Sequence, residues 1–405
     1  MPRSSRPGRE RTGPSRPRAP DIGTDAMGGV LDAPDGEHGR LRAPDLRPRL
    51  DDPLVLRALI VRTGLRPGDH VEGVLGPAPG GQGHGRALMT VTAVNGAAPM
   101  QAPARPHFAD LTAVYPSRPL RLVTGPTLLT TRVIDLFCPL GHGQRALIAA
   151  PPHTGKTTLL EHIALAIRAS HPAVHLTLLL IGERPEEVTH LRSVVDAASV
   201  VDASFDEPAA RHTSAVELAL QRAMRVVEAG GDALVLVDSL TRLARAYNLA
   251  ARGRAAGRTL SGGVSAGALV PARRLFGAAR ATEAGPSLTI VATCLVETGS
   301  RLDDVVFEEF KGTGNMEVRL SRALAERRLY PAIDVAASGT RHEELLLDGE
   351  TLRRVRGLRR SLAARDPIAG TELLLTRLRA TPDNATFLAS LRRTGRSSGD
   401  DPRRG

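Results

Sequence analysis

The run Ala150-Pro-Pro-His-Thr-Gly-Lys-Thr157 follows a short apolar stretch, Ala146 to Ala149, and opens a helical one, Thr158 to Ile167. A strand, a tight loop and a helix start in that order form a phosphate cradle. Backbone amides of His153–Thr158 converge with the helix N-terminus on β- and γ-phosphates, Lys156 adds a mobile charge, and Thr157 offers a hydroxyl to Mg²⁺. The cradle is predicted to hold ATP through Pro151, Pro152, His153, Thr154, Gly155, Lys156, Thr157 and Thr158. The chemistry needs two further carboxylates. Val235-Leu-Val-Asp238 ends an apolar run in an aspartate, the position from which Asp238 holds Mg²⁺ through water. Gly182-Glu183-Arg184-Pro-Glu-Glu187 brings Glu183 to the end of another apolar run, where it can polarise the water that attacks the γ-phosphate. Glu186 and Glu187 fit the first turn of the helix that follows.

The elements that must position these groups read as follows. Ala146–Ala150, Leu176–Ile181, Ala233–Val237 and Leu288–Leu295 are buried-strand candidates alternating with longer helical stretches from Leu120 to about Ala380, the pattern of a mostly parallel sheet wrapped by helices. Before it, residues 27–95 carry short apolar runs between turn signals such as Pro34-Asp-Gly36 and Arg66-Pro-Gly-Asp69, which predicts a small strand-rich barrel. The proline-punctuated stretch 96–119 is read as a linker and 120–392 as the catalytic domain. Residues 1–26, with six arginines among Pro, Ser and Gly, read as a disordered basic arm, and 393–405 as a loose tail.

Composition narrows the partner. Formal net charge is +11, a surplus that suits a polyanion and equally suits arginines spread over solvated faces. Only two lysines, Lys156 and Lys311, occur beside 52 arginines. Where Arg has replaced Lys almost everywhere, the survivors mark sites needing a compact ammonium in place of a planar fork. Cys138 and Cys294 stand far apart without metal-ligand spacing, which argues against a zinc site or a disulfide scaffold. No apolar run of membrane-spanning length and no secretory leader are read, so a cytoplasmic location is expected.

Several segments taken together resemble the transcription termination factor Rho family: Arg132-Val-Ile-Asp-Leu, the phosphate loop, Glu183-Arg-Pro-Glu-Glu-Val-Thr189, Asp238-Ser-Leu-Thr-Arg-Leu-Ala-Arg-Ala-Tyr-Asn248, Glu308-Glu-Phe-Lys-Gly-Thr-Gly-Asn-Met-Glu317 and Tyr330-Pro-Ala-Ile-Asp334. The resemblance implies an α/β, RecA-like P-loop NTPase motor domain preceded by a small β-barrel of the cold-shock or OB kind. It implies a homohexamer that hydrolyses ATP between subunits and pulls single-stranded RNA through its centre to terminate transcription. RNA polymerase and other termination factors are possible partners, and no membrane is involved. Glu183 is then the catalytic carboxylate and Arg341 an arginine finger reaching a neighbour's γ-phosphate. Tyr330 and Arg328 would hold the adenine, with Arg184 also at the nucleotide. Arg258-Thr259-Leu260-Ser261-Gly262-Gly263 and Lys311-Gly312-Thr313-Gly314 resemble the two loops that line the RNA pore. Other readings are a relative with RNA-linked ATPase but weak termination activity, and a ring that senses nucleotide without hydrolysing it.

Three positions depart from the family pattern. His153 stands where a second phosphate-loop lysine is usual, and Gly182 where an acidic residue usually precedes the catalytic glutamate. The barrel lacks the family's aromatic patch: no Phe, Tyr or Trp occurs before Phe108, and Asp35-Gly36 runs into Glu37, His38, Gly39 and Arg40. RNA capture is therefore expected to lean on charge instead of base stacking.

Overall fold

A computed structural model describes residues 26–34, 37–79, 85–99, 105–196, 200–250, 263 and 265–391. Strands β1 (Ala26–Asp32), β2 (Gly39–Arg42), β3 (Leu54–Val55), β4 (His70–Pro77) and β5 (Arg86–Val94) close into a barrel in the order β1-β2-β3-β5-β4. Alternation places Leu31, Leu41, Val71, Leu75, Leu88 and Val91 inside, where they form the barrel's own core. One helix, α1 (Arg57–Thr63), interrupts the strand pattern and caps this core with Leu59 and Ile60. The sequence reading of a strand-rich barrel singles out no helix here. Seven residues are too few to show a helical period, and their burial comes from the barrel end they cover.

The second sheet contains β6 (Ala113–Val114), β7 (Arg145–Ala150), β8 (His175–Ile181), β9 (Val200–Ala203), β10 (Ala233–Asp238), β11 (Arg280–Thr282), β12 (Ser287–Leu295), β13 (Met316–Arg319) and β14 (Gly339–Thr340). Its main path is β14-β13-β7-β12-β10-β8-β9, with parallel pairing from β13 through to β9 and antiparallel edges at β14, β11 and β6. Strands β7, β8, β10 and β12 are the four apolar runs read from the sequence, each starting or ending within one residue of expectation. Burial on both faces explains why they carry continuous Val, Leu, Ile and Ala.

Helices α2 (Leu129–Phe137), α3 (Lys156–Ser170), α4 (Pro185–Val194), α5 (Ala209–Glu228), α6 (Leu240–Ala250), α7 (Ala266–Gly277) and α8 (Arg301–Lys311) cover the two faces, and two large apolar clusters result. Short α9 (Arg322–Glu326) and helices α10 (Gly349–Ala363), α11 (Pro367–Arg379) and α12 (Asn384–Ser390) complete the chain. Arg132 locks this C-terminal layer to α2. Its fully buried guanidinium donates to the Leu378 and Thr381 carbonyls at 2.7 and 2.6 Å and to Asn384 Oδ1 at 3.1 Å, so the charge meets three oxygens in place of water.

The barrel is fastened to the motor by arginine–carboxylate pairs. Arg66 meets the buried Glu228 of α5 at 3.0 Å, and Glu228 also accepts the Phe108 backbone N–H at 2.7 Å. Arg47 pairs with Asp202 of β9. Gly68, at φ +86°, lies against the α5 backbone so closely that a Cβ there would meet the Gln221 carbonyl carbon at 2.4 Å.

Candidate functional site

Three parallel strands, β10 and β8 side by side and β7 one strand away across β12, end at the same edge of the sheet and each delivers one polar group. After β7 the chain turns through Pro151–Gly155, with His153 at φ 65° and Gly155 at φ 90°, and enters α3 at Lys156. The Thr154 hydroxyl donates to the Pro151 carbonyl at 2.7 Å and braces the loop. Only a residue tolerant of positive φ fits position 155, and its missing Cβ leaves the Tyr330 ring 3.6 Å from where that atom would stand. Strand β8 ends beside Glu183 and β10 ends at Asp238.

The Lys156 ammonium donates to Glu183 Oε1 at 2.9 Å and to Asp238 Oδ1. Burial works against its charge, but the two carboxylates outweigh burial and raise its pKa above the ordinary lysine value. Glu183 is buried, and burial followed by the neighbouring Asp238 charge pushes its carboxyl up, with Lys156 and Arg242 opposing. A glutamate held this way binds a proton more readily than one in water, as a general base requires.

Two partners of this constellation were missed by the sequence reading. Arg242, one turn into α6, reaches Glu183 Oε2 at 3.1 Å and the Gly182 carbonyl. Thr293 of β12 donates to Asp238 Oδ1 at 2.8 Å. Arg242 stands in the first turn of α6 and meets a carboxylate from the neighbouring strand β8, a pairing no sequence spacing signals. Thr293 becomes a partner only through strand order, with β12 lying between β7 and β10. Asp238 Oδ2 is buried without a hydrogen-bond partner among the described residues, an oxygen left free to meet a ligand. Thr157 Oγ1 lies 3.3 Å from Glu187 Oε2, and Glu186 and Glu187 occupy the first turn of α4 as expected.

Beside the loop lies a cavity of about 690 Å³ between Thr130, His153, Gly155, Thr158, His162 and Tyr330. Tyr330 is 39% exposed, so it walls this cavity and is no core filler. Arg328 is exposed with φ 57°, and Arg184 is an exposed residue that precedes α4.

Arg341 does not join the cluster. Its N–H bonds the Asn315 carbonyl at 2.9 Å, and the Asn315 N–H in turn bonds the Arg145 carbonyl, at the start of β7. Five residues of strand, about 16 Å at 3.3 Å each, separate this position from the phosphate loop of the same chain. Lys311 ends α8 near the same sheet end: it is exposed, 3.6 Å from Glu308, with its ammonium 5.7 Å from the Phe307 ring centre, and Gly312–Gly314 follow. The Thr313 carbonyl accepts from Arg145 Nε at 3.0 Å, which fixes where this loop leaves the sheet. Arg258, Thr259, Leu260, Ser261 and Gly262 lie outside the described residues. Gly263 is described, and its carbonyl accepts from Asn248 Nδ2 at 3.2 Å.

Comparison with known proteins agrees with this geometry. A family model described as the ATP synthase alpha/beta family nucleotide-binding domain matches residues 130–340, and one described as the Rho termination factor RNA-binding domain matches 27–100. A transcription termination factor Rho of Streptomyces coelicolor is 54% identical over 91% of this chain and 86% of its own length. One from Streptosporangium roseum is 51% identical over 94% and 96%. A longer relative from Streptomyces lividans is 49% identical, and the chain spans 53% of it. Among solved structures, an ATPase from a type III secretion system is 28% identical with a TM-score of 0.54, over 62% of this chain and 70% of that one. With a matching motor domain, a matching barrel and relatives this similar over nearly their full length, the chain belongs to the transcription termination factor Rho family.

Proposed function

We propose that the chain is an RNA-dependent ATPase and helicase of transcription termination, which pulls nascent RNA through a homohexameric ring. The observation that carries this is the joining of Lys156, Glu183 and Asp238 at one end of the sheet while Lys311 and Arg341 stand at the other. The first end can bind and split a triphosphate. The second presents an exposed ammonium beside two glycines and an arginine too distant to serve its own phosphate loop, as expected where a neighbour completes the site.

In this reading the loop amides and Lys156 bind the β- and γ-phosphates, which draw the ammonium out of its present pair with Glu183 and Asp238. Freed from Lys156 and still steadied by Arg242, Glu183 takes the proton of the attacking water. Tyr330 and Arg328 hold the adenine, and Arg341 of the next subunit stabilises charge on the γ-phosphate. The orphan Asp238 Oδ2 and the Thr157 hydroxyl are hard oxygen donors that suit Mg²⁺, which neutralises phosphate charge when bound. RNA enters by the barrel and is gripped in the pore by Lys311–Gly314 and Arg258–Gly263. No helix among the described residues is long and apolar enough to cross a membrane, in keeping with work in the cytoplasm alongside RNA polymerase.

The test is ATP hydrolysis with and without single-stranded RNA for the unaltered chain, Lys156→Ala and Lys311→Ala. RNA stimulation is expected in the first and absent from both variants. Stimulation that survives Lys311→Ala would instead favour a ring that senses nucleotide without pulling RNA.

A further inference from the structure

Between the barrel and the motor lies a second cavity, of about 470 Å³, away from the phosphate loop. Gly29 and Val30 of β1 and His70 of β4 form its barrel side, and His171, His175 and Arg222 belong to its motor side. Its charges do not balance. Arg42, also at its wall, is neutralised by Asp32 and Asp52 at 2.5 and 2.6 Å, and Arg168 by Asp196 at 3.3 Å. Arg222 is half-buried, its guanidinium donates to the neutral Asn95 Oδ1 at 2.6 Å, and no carboxylate lies within 4 Å of it among the described residues. Asp69, its nearest opposing charge, sits behind Asn95 and is itself paired with Arg105, so a partly desolvated cation is left facing the cavity, where an anion would be favoured.

The imidazoles report the same excess. His175 is pushed down to about 4, by burial first and then by the Arg222 and His70 charges. His70 is lowered by burial and by Arg222, and Glu72, 3.8 Å away, opposes only weakly. A neutral imidazole keeps one N–H donor, so the His70 and His175 rings and the Arg222 guanidinium can offer hydrogen bonds to one acceptor-rich group, while His171 is already bonded to the Arg121 carbonyl at 2.9 Å. The remaining wall is apolar, with Leu46, Leu176 and Val201, and the volume falls in the range of small-molecule sites.

We propose that this cavity binds a phosphate-bearing small molecule of mononucleotide size, its phosphate on Arg222 and the histidines and its organic part against the apolar wall. The ligand touches both domains, so occupancy couples the barrel's seating to the motor. The site is independent of the ATP site and stands or falls apart from the function proposed above.

Isothermal titration of ADP with Mg²⁺ into the full chain tests it. Two sites per chain are expected: one lost in Lys156→Ala, the other weakened at least tenfold in Arg222→Ala with ATP hydrolysis retained. Arg222 also bonds Asn95, so a second variant guards against a folding defect. Ala173→Trp, at an exposed rim residue of the cavity, fills the space while leaving every charge in place, and is expected to remove the same site. A single ADP site in the unaltered chain, or two that survive both Arg222→Ala and Ala173→Trp, overturns the proposal. So does an Arg222→Ala chain whose ADP stoichiometry is unchanged and whose affinity for single-stranded RNA falls, since the cavity would then serve RNA.

Discussion

Around Lys156 every charged group is buried against another: an ammonium between two carboxylates, one carboxylate shared with Arg242 and the other with Thr293. In the barrel many charged groups face solvent, Glu37, Arg40, Arg57 and Arg62 among them, beside isolated apolar side chains such as Met89 and Leu50, and no Phe, Tyr or Trp occurs before Phe108. The two regions have been held to different standards. A buried triad cannot exchange Lys for Arg without misplacing charge by ångströms, so Lys156 survived in a chain that is otherwise almost free of lysine. A solvent-facing surface tolerates the loss of aromatic rings at a modest cost per base, and charge is expected to take over RNA capture there.

The sharpest way to break the contrast is to move the motor's chemistry between chains. Arg341→Ala is expected to lower kcat by about 10³ to 10⁵ while leaving nucleotide affinity in place. Mixing Arg341→Ala chains with Glu183→Gln chains then restores measurable hydrolysis, because an intact Glu183 from one chain meets an intact Arg341 from the other. Absence of recovery in mixed assemblies would place Arg341 outside the neighbour's site.

Glu183→Gln alone is expected to cost about 10² to 10⁴ in kcat. It also has a stability signature. The Glu183 carboxyl is raised in the folded chain, so the folded state holds this proton more tightly than the unfolded one. Its stabilising contribution is fully present below the ordinary glutamate range and is lost as pH rises through the folded value. Melting temperature measured against pH should therefore fall less steeply on the alkaline side in Glu183→Gln than in the unaltered chain.

How much of this could be read from residues alone follows the same division. The phosphate loop, Glu183 and Asp238 were legible because each sits at the end of an apolar run, and such runs are visible when a strand is buried on both faces. Strands β9, β13 and β14 were not singled out: two to four residues give no period, and they pair because the sheet already exists. Arg242 and Thr293 depend on which strands lie side by side, and the cavity around Arg222 depends on how two domains meet. The barrel and its absence of aromatics were plain from the sequence, whereas the helix α1 that caps the barrel was not.

Restoring stacking tests the barrel side. Glu37 is exposed and among the described residues meets Arg57 at 2.9 Å, so Glu37→Phe disturbs little. Stacking one base is worth about 1 to 3 kcal/mol, which predicts roughly five- to 150-fold tighter binding of cytosine-rich single strands. Gel-shift titration at fixed salt measures it. Unchanged affinity would mean that RNA does not cross this face of the barrel.

The smallest expected effect isolates the motor's own grip on RNA. Lys311 is exposed and its nearest acid, Glu308, is 3.6 Å away on the same helix, a surface pair that contributes little to folding. Lys311→Ala should therefore fold normally and remove one phosphate contact. For a single strand each contact contributes about 0.7 to the slope of log affinity against log salt, so the variant's slope should be shallower by that amount, a two- to threefold difference between about 50 and 200 mM. ATP turnover separates the regions further: a lost barrel contact is overcome by adding RNA, but a lost pore contact leaves stimulation low at saturating RNA. If excess RNA restored full stimulation to Lys311→Ala, the ammonium would be part of RNA capture, and the division between a charge-based barrel and a gripping motor would have to be redrawn.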